Sequence, residues 1–570
     1  MLDMTQIVNY LSSKGISLVR GDNDRTMFYK HSLMNREITI RIDIPPDFPF
    51  NLPTFHLCNR LSYGALAHIA WGGNDFAEIC YGKESFNINY ERPELVLYDA
   101  IKKVIDITSK SIKDPNYNDS ELKREFVGVW RFHIKSDEKL ICICEAPELY
   151  TTLNVAQPSN KENTSIRHST ISIAQETMCV NSNNAILKHY FADYRIIKGK
   201  GCIIHLNECP LPPSPNESII AWWEQILKSQ PLHVSEKLRE ISRLTKSKEF
   251  FVVCTFNNCD GRVWVALKFT AEKKQSIPLT PINVKGWQGT AIQLDVMSRT
   301  HLLSRAGAKI NLDEKNVCIV GCGSLGGMVA EQLVSSGICN ITLSDPDSLS
   351  IENIYRHCLG SKFVGYNKAS GLKQYLETKY PFVKVKASEK LLLEYMDESI
   401  TDNFDLILVL TGNATHERKF DSWVISSQCK TPIIYGWIEA FGVGGHAIYH
   451  NKMHQGCLNC LFIDNVSDEM ELYPNINFIA KNQAILKSHA GCGSEFISYS
   501  NLDSIQTAML VTRLALDNLS GKLDKNICHS WRGDGQLAID NGIKLSHRFF
   551  RMTNTEKEIA NENCHVCGSR

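Results

Sequence analysis

The chain has 570 residues, of which 43% are hydrophobic, and this predicts roughly three or four packed domains. Its 62 basic and 62 acidic residues balance, so charge gives no reason to expect a nucleic-acid partner. The first residues lack a basic-then-apolar signal pattern and no apolar run approaches the roughly 20 residues of a membrane span, which predicts a cytoplasmic protein without a membrane partner.

The chain contains 20 cysteines. Disulfides are rare in the reducing cytosol, and a free cysteine usually behaves as a small buried hydrophobe. We therefore predict that most of these residues pack in cores, and that only those in a distinctive context carry chemistry.

Residues 1–115 form the first predicted domain. Residues 5–13 have an amphipathic helical pattern, strand-like alternation follows, and residues 93–106 read as a second helix. Between these helices, Cys80 occupies an apolar, strand-like position after His68. Four prolines punctuate the chain after a strand: Pro45, Pro46, Pro49 and Pro53.

This proline-rich segment and the setting of Cys80 resemble ubiquitin-conjugating enzymes. The resemblance implies an α+β domain in which Cys80 accepts an acyl group as a thioester, whereas a buried structural thiol is the alternative. The His-Pro-Asn tripeptide of that family is missing, because Ile69 follows His68. Either His68 or Asn74 would therefore donate to the oxyanion, and the sequence leaves both alternatives open.

Residues 116–290 form the second predicted domain. Residues 111–126 read as a polar linker, residues 126–134 and 139–146 alternate as strands, and residues 157–176 read as a polar surface loop. We find no catalytic constellation here and predict an α+β connector domain.

Residues 291–570 form the third predicted domain. An apolar strand at 317–320 is followed by Gly321, Gly323 and Gly326 at G-x-G-x-x-G spacing, a helix at 324–336 and a strand at 339–343. This is a β-α-β unit that places phosphate at a helix amino end. Asp345 stands where a dehydrogenase holds ribose, so a nicotinamide enzyme is one interpretation.

The residues after Asp345 favour a different cosubstrate. Asp347, Asn353, Arg356 and Lys368 follow in order. A dehydrogenase needs no cation pair there, whereas an enzyme that adenylates with ATP needs fixed cations beside the triphosphate. The ordered pattern resembles the ThiF-family adenylyltransferases, which include the ubiquitin-activating enzymes. It implies a Rossmann-like α/β adenylation domain that uses ATP and Mg²⁺.

The resemblance also implies further members of the ATP site. Where the family has Thr-Asp-Asn, this chain has Thr-Gly-Asn, with Gly412 before Asn413, so the metal contact would come from Asp345, Asp347 or the phosphates. Upstream, the family places an arginine that reaches the partner subunit's ATP site. Arg299 and Arg305 are the candidates, which predicts a homodimer, and a solvated helix face is the alternative.

Two C-x-x-C pairs lie about a hundred residues apart, Cys457 with Cys460 and Cys564 with Cys567. One pair alone fits a redox site, but four thiolates satisfy tetrahedral Zn²⁺ with no open position. The sequence therefore predicts a structural zinc site, an arrangement that the resembling family shares.

Cys492 lies in a glycine-flanked loop just before a helical pattern at residues 500–518. A helix amino end favours the thiolate form of a nearby cysteine. The resemblance to activating enzymes implies that Cys492 attacks the acyl-adenylate, and a small buried residue in a turn is the alternative.

A conjugating-like module before an activating-like module resembles the fused enzymes of bacterial CBASS antiphage systems. The resemblance implies that the carboxyl terminus of a cGAS-like nucleotidyltransferase, or of a ubiquitin-like protein, passes through an adenylate, Cys492 and Cys80 to a target. Two alternatives remain open: a sulfur-carrier adenylyltransferase, and a nonenzymatic scaffold that binds ATP.

Overall fold

The computed structural model describes the chain outside residues 1–3, 35, 71–75, 83–87, 160–170, 177–186, 188–189, 192, 308–311, 464–470, 489–494, 554 and 569–570. The chain divides into two compact units, residues 1–298 and residues 299–570. Across the described residues, every helix is too short or too polar to traverse a lipid bilayer.

The first unit begins with an antiparallel sheet whose five strands follow one another in sequence order. Helices before and after the sheet bury apolar side chains against it, including Leu11 and Leu97. These elements are α1 (Met4–Ser13), β1 (Leu18–Arg20), β2 (Thr26–Leu33), β3 (Arg36–Asp43), β4 (Thr54–Leu57), β5 (Ala77–Glu78) and α2 (Pro93–Lys113).

The polar linker predicted at residues 111–126 is wrong, because this segment is helical. Helix α2 continues to Lys113, and helix α3 (Pro115–Arg124) follows at once. Asp114 caps α3 by accepting the N–H groups of Asn116 and Tyr117. A capping aspartate before a first-turn proline is a helix-start signal, and here it outweighs the polar composition.

The rest of the first unit is built on a closed barrel of seven strands in the order β10-β11-β12-β6-β8-β7-β9. Parallel pairs join β10 to β9, β12 to β6 and β6 to β8, and the other neighbours are antiparallel. The elements are α4 (Phe126–Arg131), β6 (Ile134–Cys142), β7 (Tyr150–Pro158), β8 (Ile171–Glu176), β9 (Tyr194–His205), α5 (Ile219–Lys228), α6 (Leu232–Leu244), β10 (Lys246–Asn258), β11 (Gly261–Ser276) and β12 (Gln288–Val296).

Two local predictions for this region are wrong. Residues 126–131 form helix α4 and not a strand, because Phe126, Val129 and Trp130 share one buried helical face. The predicted surface loop at 157–176 contains the end of β7 and all of β8, where Ile173 is fully buried. Its polar residues precede a strand that closes the barrel.

The second unit is built on a sheet in the order β15-β14-β13-β16-β17-β18-β21-β22, plus a small hairpin of β19 and β20. The strands from β15 to β17 are parallel, and β18, β21 and β22 extend the sheet antiparallel. The strands are β13 (Asn316–Val320), β14 (Asn340–Ser344), β15 (Lys384–Ser388), β16 (Leu406–Val409), β17 (Ile433–Ile438), β18 (Gly444–His450), β19 (Leu486–Ser488), β20 (Glu495–Ile497), β21 (Ile527–Arg532) and β22 (Glu556–Glu558).

Helices connect these strands, which confirms the predicted Rossmann-like α/β fold. They are α7 (Arg299–Arg305), α8 (Ser324–Ser335), α9 (Lys368–Lys379), α10 (Glu398–Thr401), α11 (Ala414–Ser426), α12 (Asn501–Leu519), α13 (Gln536–Asp540) and α14 (His547–Arg551). Strand β13 pairs with β14 on one side and β16 on the other, so the strand order reverses at this point. Ligands of open α/β sheets bind in the crevice that such a reversal leaves at the carboxyl ends of the strands.

Candidate functional site

The glycine loop after β13 lies at this crevice, and two of its glycines are required by geometry. Gly321 has φ +95°, a left-handed conformation that L side chains rarely adopt. A Cβ on Gly326 would lie 1.8 Å from the carbonyl oxygen of Gly321. By contrast, a Cβ on Gly323 would meet nothing within 4 Å, because this residue borders a cavity. The loop is thus tightly packed at Gly321 and Gly326, and it is open to the cavity at Gly323.

The backbone of Cys322, at the centre of the loop, is held from both sides. Its N–H donates to the Asp345 carboxylate over 2.7 Å, and its carbonyl accepts from His357 Nε2 over 2.8 Å. Nδ1 of His357 accepts the N–H of Leu359, so Nε2 carries the ring proton. Burial lowers the pKa of His357, and nearby Lys368 lowers it further, so the imidazole is neutral at neutral pH.

A cavity of about 210 Å³ opens in front of the glycine loop. It brings together the amino end of α8 and two predicted cations. Its lining residues are Gly323, Ser324, Asn353, Arg356, His357, Lys368 and Tyr499. A helix amino end and two cations at one concave surface form a site for a polyanion such as a triphosphate.

Arg356 is oriented by three neighbours. Its Nε and Nη2 donate to the side-chain oxygen of Asn353, and its Nη1 donates to the carbonyl of Ile497. The guanidinium carbon lies 4.9 Å from the centre of the Tyr499 ring. Tyr499 also places its hydroxyl 2.7 Å from Oγ of Ser324. Sequence reasoning missed Tyr499, which lies far along the chain from the glycine loop.

Lys368 begins α9 and faces two acids. Its Nζ lies 2.9 Å from Asp347 and 4.0 Å from Asp345. Asp345 is buried and also accepts the N–H of Asp347, whereas the Asp347 side chain is 68% exposed. Magnesium prefers oxygen ligands, so this carboxylate pair beside the cavity suits Mg²⁺.

Asn413, predicted to contact the nucleotide, caps α11 by accepting the N–H of His416. The preceding turn is organised by Glu417, which sequence reasoning missed. This buried carboxylate accepts the Thr411 hydroxyl over 2.7 Å and the Gly412 N–H over 3.1 Å. Burial raises the pKa of Glu417 to about 7. An acidic residue in the first turn of a helix is the signal that identifies such a partner.

The two arginines before the glycine loop differ in their surroundings. Arg299 forms an ion pair of 2.6 Å with Asp313 of the same unit. Arg305, at the end of α7, is exposed. Arg305 is therefore the better placed of the two to meet another molecule.

The four predicted metal-binding cysteines form one cluster in which all sulfur atoms lie within 4.8 Å of one another. The closest pairs are Cys460 with Cys567 at 3.3 Å and Cys457 with Cys564 at 3.7 Å. A tetrahedral Zn²⁺ with bonds of about 2.3 Å separates its sulfurs by about 3.8 Å, so the residues present fit this ion.

Cys80, two residues after β5, is exposed, whereas Cys58 of the same domain is buried. Its N–H donates to the carbonyl of His68 over 2.7 Å. The backbone of Cys80 therefore depends on the conformation of His68, which has φ +62°.

His68 is bracketed by carboxylates at the end of α3 and just beyond it. Nδ1 lies 2.6 Å from Glu125, and Nε2 lies 3.2 Å from Glu121. Burial alone would lower the pKa of His68, but Glu125 and then Glu121 outweigh it and raise that pKa. The two carboxylates thus favour the charged form of the imidazole, and neither Glu121 nor Glu125 was identified from the sequence.

Two predicted residues, Cys492 and Asn74, lie outside the described part of the chain.

The ThiF family model matches residues 298–530. Among curated proteins, the ATP-dependent ubiquitin transferase-like protein Cap2 of Pseudomonas aeruginosa is 29% identical over 212 residues, which is 36% of this chain and 36% of that protein. The Cap2 of Enterobacter hormaechei is 39% identical over 80 residues, 14% of this chain and 13% of that protein. The chain therefore matches only about a third of the length of the first relative and about an eighth of the length of the second.

A sulfur-carrier enzyme and a solved structure are also similar to the chain. The sulfur carrier protein adenylyltransferase of Thermus thermophilus is 28% identical over 181 residues, 30% of this chain and 65% of that protein. A crystal structure of E. coli MccB with succinimide aligns at a TM-score of 0.33 and 18% identity, over 47% of this chain and 69% of that chain.

Proposed function

We propose that the chain uses ATP to activate a carboxyl terminus as an acyl-adenylate, and the match of the ThiF family model to residues 298–530 supports this. The observation that carries this proposal is the cavity in which Arg356 and Lys368 meet the amino end of α8. A nicotinamide cofactor, with its diphosphate, has no need for this pair of cations.

In the proposed first step, a carboxylate oxygen of the substrate attacks the α-phosphorus of ATP. The bond from that phosphorus to the bridging oxygen breaks, and pyrophosphate leaves with the electron pair. Arg356 and Lys368 stabilise the negative charge that grows on the leaving group. Asp345 and Asp347 are the residues that would hold Mg²⁺, which neutralises phosphate charge when it is bound.

In our proposal, the acyl group is then transferred to one cysteine and from it to a second, as a thioester each time. The Cys492 thiolate attacks the acyl carbon and AMP leaves, and then the Cys80 thiolate displaces Cys492. An amine or another nucleophile of the target finally releases Cys80. The exposure of Cys80, next to a fixed backbone, supports its role as the second acceptor.

We further propose that the substrate is the carboxyl terminus of a cGAS-like nucleotidyltransferase or of a ubiquitin-like protein, within a CBASS antiphage system. The similarity to two Cap2 proteins supports this substrate class. Similarity to the Thermus sulfur-carrier enzyme favours the alternative of sulfur-carrier activation, for which residues 1–115 have no evident use.

Two structural proposals accompany this function. The four-cysteine cluster holds one Zn²⁺, and the protein is a homodimer in which Arg305 completes the partner's ATP site. Mixing Arg305→Ala chains with Lys368→Ala chains tests the dimer. Activity should reappear in the mixture, because one of its two sites is intact, and mixed chains as inactive as each variant alone contradict the proposal.

Exchange of labelled pyrophosphate into ATP, with the candidate substrate present, tests the adenylation step. Arg356→Ala and Lys368→Ala should each abolish exchange, because the triphosphate loses a fixed counter-ion. Lys373→Ala is the matched control, since Lys373 lies on the same helix and pairs only loosely with Glu377 at 3.8 Å. Full exchange by Lys368→Ala would contradict the proposed site.

A further inference from the structure

One lining residue of the cavity, Tyr499, comes from a distant part of the chain. Ile497 ends β20, and Tyr499 lies two residues later, just before α12. Ile497 is 141 residues from Arg356, and Tyr499 is 175 residues from Ser324. The contacts of Arg356 and Ser324 with this segment therefore form only when the chain between β20 and α12 packs beside the cavity.

We propose that Tyr499 is a positioning residue of this site: its ring fixes the plane of the Arg356 guanidinium, and its hydroxyl fixes the rotamer of Ser324. The inference rests on the proposed ATP-dependent function and deepens it. It assigns to the segment after β20 the task of orienting the groups that meet the terminal phosphates.

The contacts of Arg356 leave it competent to bind an anion while it is held. Asn353 and Ile497 occupy one N–H on each guanidinium nitrogen, so the second hydrogens of Nη1 and Nη2 stay available. The guanidinium carbon lies over the Tyr499 ring, 4.9 Å from its centre, so the ring forms an aromatic surface against which the cation is held. The ring thus restricts rotation of the group without competing for its remaining donors.

The hydroxyl of Tyr499 contacts the start of α8. Ser324 is the first residue of α8, where backbone N–H groups lack partners within the helix. The hydrogen bond of 2.7 Å between the two hydroxyls holds Ser324 Oγ at this helix end. Both residues line the cavity, and whichever hydroxyl accepts in this pair keeps its own proton, so that one can donate to a phosphate oxygen.

A positioning role has a signature that a purely structural role lacks. A guanidinium that has lost its stacking partner samples more rotamers, which costs conformational entropy on binding. The loss should therefore affect ligands that carry the terminal phosphates, ATP and pyrophosphate. It should leave AMP unaffected, because AMP ends at the α-phosphate.

The test uses the full chain with Tyr499→Leu and Tyr499→Phe, and measures ATP and AMP binding by equilibrium dialysis beside pyrophosphate exchange. Tyr499→Leu should weaken ATP binding about tenfold and leave AMP binding unchanged, consistent with loss of one stacked cation. Tyr499→Phe keeps the ring and should lose about two- to fivefold in ATP binding, the weight of one hydroxyl contact. Tyr355→Leu is the control, since Tyr355 is 91% exposed beside Arg356.

Equal weakening of ATP and AMP by Tyr499→Leu would overturn the proposal, and so would no effect on either. If the leucine variant fails to fold, Tyr499→Phe decides: ATP binding identical to that of the parent protein would overturn the proposal, because the hydroxyl contact is part of it. Failure of the proposed function looks different. In that case the parent protein gives no pyrophosphate exchange, while the ratio of ATP to AMP affinity still reports on Tyr499.

Discussion

His357 shows how an uncharged side chain can set the shape of a binding loop through two hydrogen bonds. Its neutral ring donates to the carbonyl of Cys322 and accepts the N–H of Leu359. A protonated ring would place a second N–H against Leu359, and that donor would then have no acceptor. The geometry of the glycine loop therefore depends on the protonation state of His357.

We predict that the ATP site weakens in acid because of His357. Its pKa is lowered below the ordinary value of 6.5, so protons bind preferentially to the unfolded state as the pH falls from 6.5 through the folded pKa. The contribution of neutral His357 to the free energy of unfolding is complete above pH 6.5 and is lost as the pH falls through the folded pKa. His357→Gln can still donate to Cys322 but does not titrate, so its ATP affinity should vary less between neutral and acid pH. An identical acid loss in both proteins would assign the effect to another group.

Helix α3 contacts the segment that leads to the exposed thiol of Cys80. Asn118 of α3 accepts the N–H of Ala67 over 2.8 Å, and Glu121, with Glu125 just past the helix, holds the imidazole of His68. These contacts stabilise a left-handed residue whose carbonyl accepts the N–H of Cys80. The helix thus holds the segment that precedes β5.

We predict that Glu125→Gln loosens this segment while adenylation continues. Removing the closer carboxylate leaves His68 with a weaker partner, at a cost of about 1–3 kcal/mol in the free energy of unfolding. Because the pKa of His68 is raised, its stabilising contribution is complete below pH 6.5 and is lost as the pH rises through the folded pKa. Denaturant unfolding at several pH values measures both effects, with Asp119→Asn as the control for charge on the same helix. Equal stability of Glu125→Gln and the control at acid pH would argue against this role.

The same elements show what the sequence could and could not reveal. The β-α-β unit around Gly321 was predictable, because its strand, loop and helix are contiguous and Arg356 and Lys368 follow at fixed spacing. Helix α3 carried a local signal in Asp114 and Pro115, which its polar composition obscured. The barrel had none, since β12 pairs with β6 and β10 pairs with β9 across long stretches of chain. Tyr499 was hidden for the same reason, because only tertiary packing brings it to Ser324.

At the scale of the whole molecule, the cysteine cluster brings two distant segments of the second unit together, one at Cys457 and Cys460 and the other at Cys564 and Cys567. Cys457 and Cys564 are 107 residues apart, yet their sulfurs lie 3.7 Å apart. The N–H of Cys457 points at the sulfur of Cys460 over 3.3 Å, an arrangement that stabilises thiolate charge. Metal bound here would therefore restrain residues far from one another in sequence.

We predict that the purified protein holds about one equivalent of Zn²⁺ and that Cys567→Ser lowers the thermal unfolding midpoint by more than about 5 °C, because a closed four-thiolate site contributes directly to folding. Cys429→Ser, a buried cysteine outside the cluster, is the control. Metal analysis and calorimetry measure the two quantities. A stable Cys567→Ser protein without metal would exclude a structural role for zinc.

The order in which the two proposed cysteines act can be read from a single set of variants. Pyrophosphate exchange needs only the ATP site, so it should persist in both Cys492→Ala and Cys80→Ala. Cys492→Ala should form no thiol-labile adduct with the candidate substrate, because nothing captures the adenylate. Cys80→Ala should keep such an adduct but fail to pass it to the target, while Cys259→Ala, at the other exposed cysteine of the described first unit, should conjugate normally. Gels run with and without thiol separate these outcomes, since a thioester is cleaved by thiol and an amide is not. If Cys80→Ala conjugates as well as the parent protein, the first domain is not a conjugating module, and activation of a sulfur carrier becomes the better account of the ATP site.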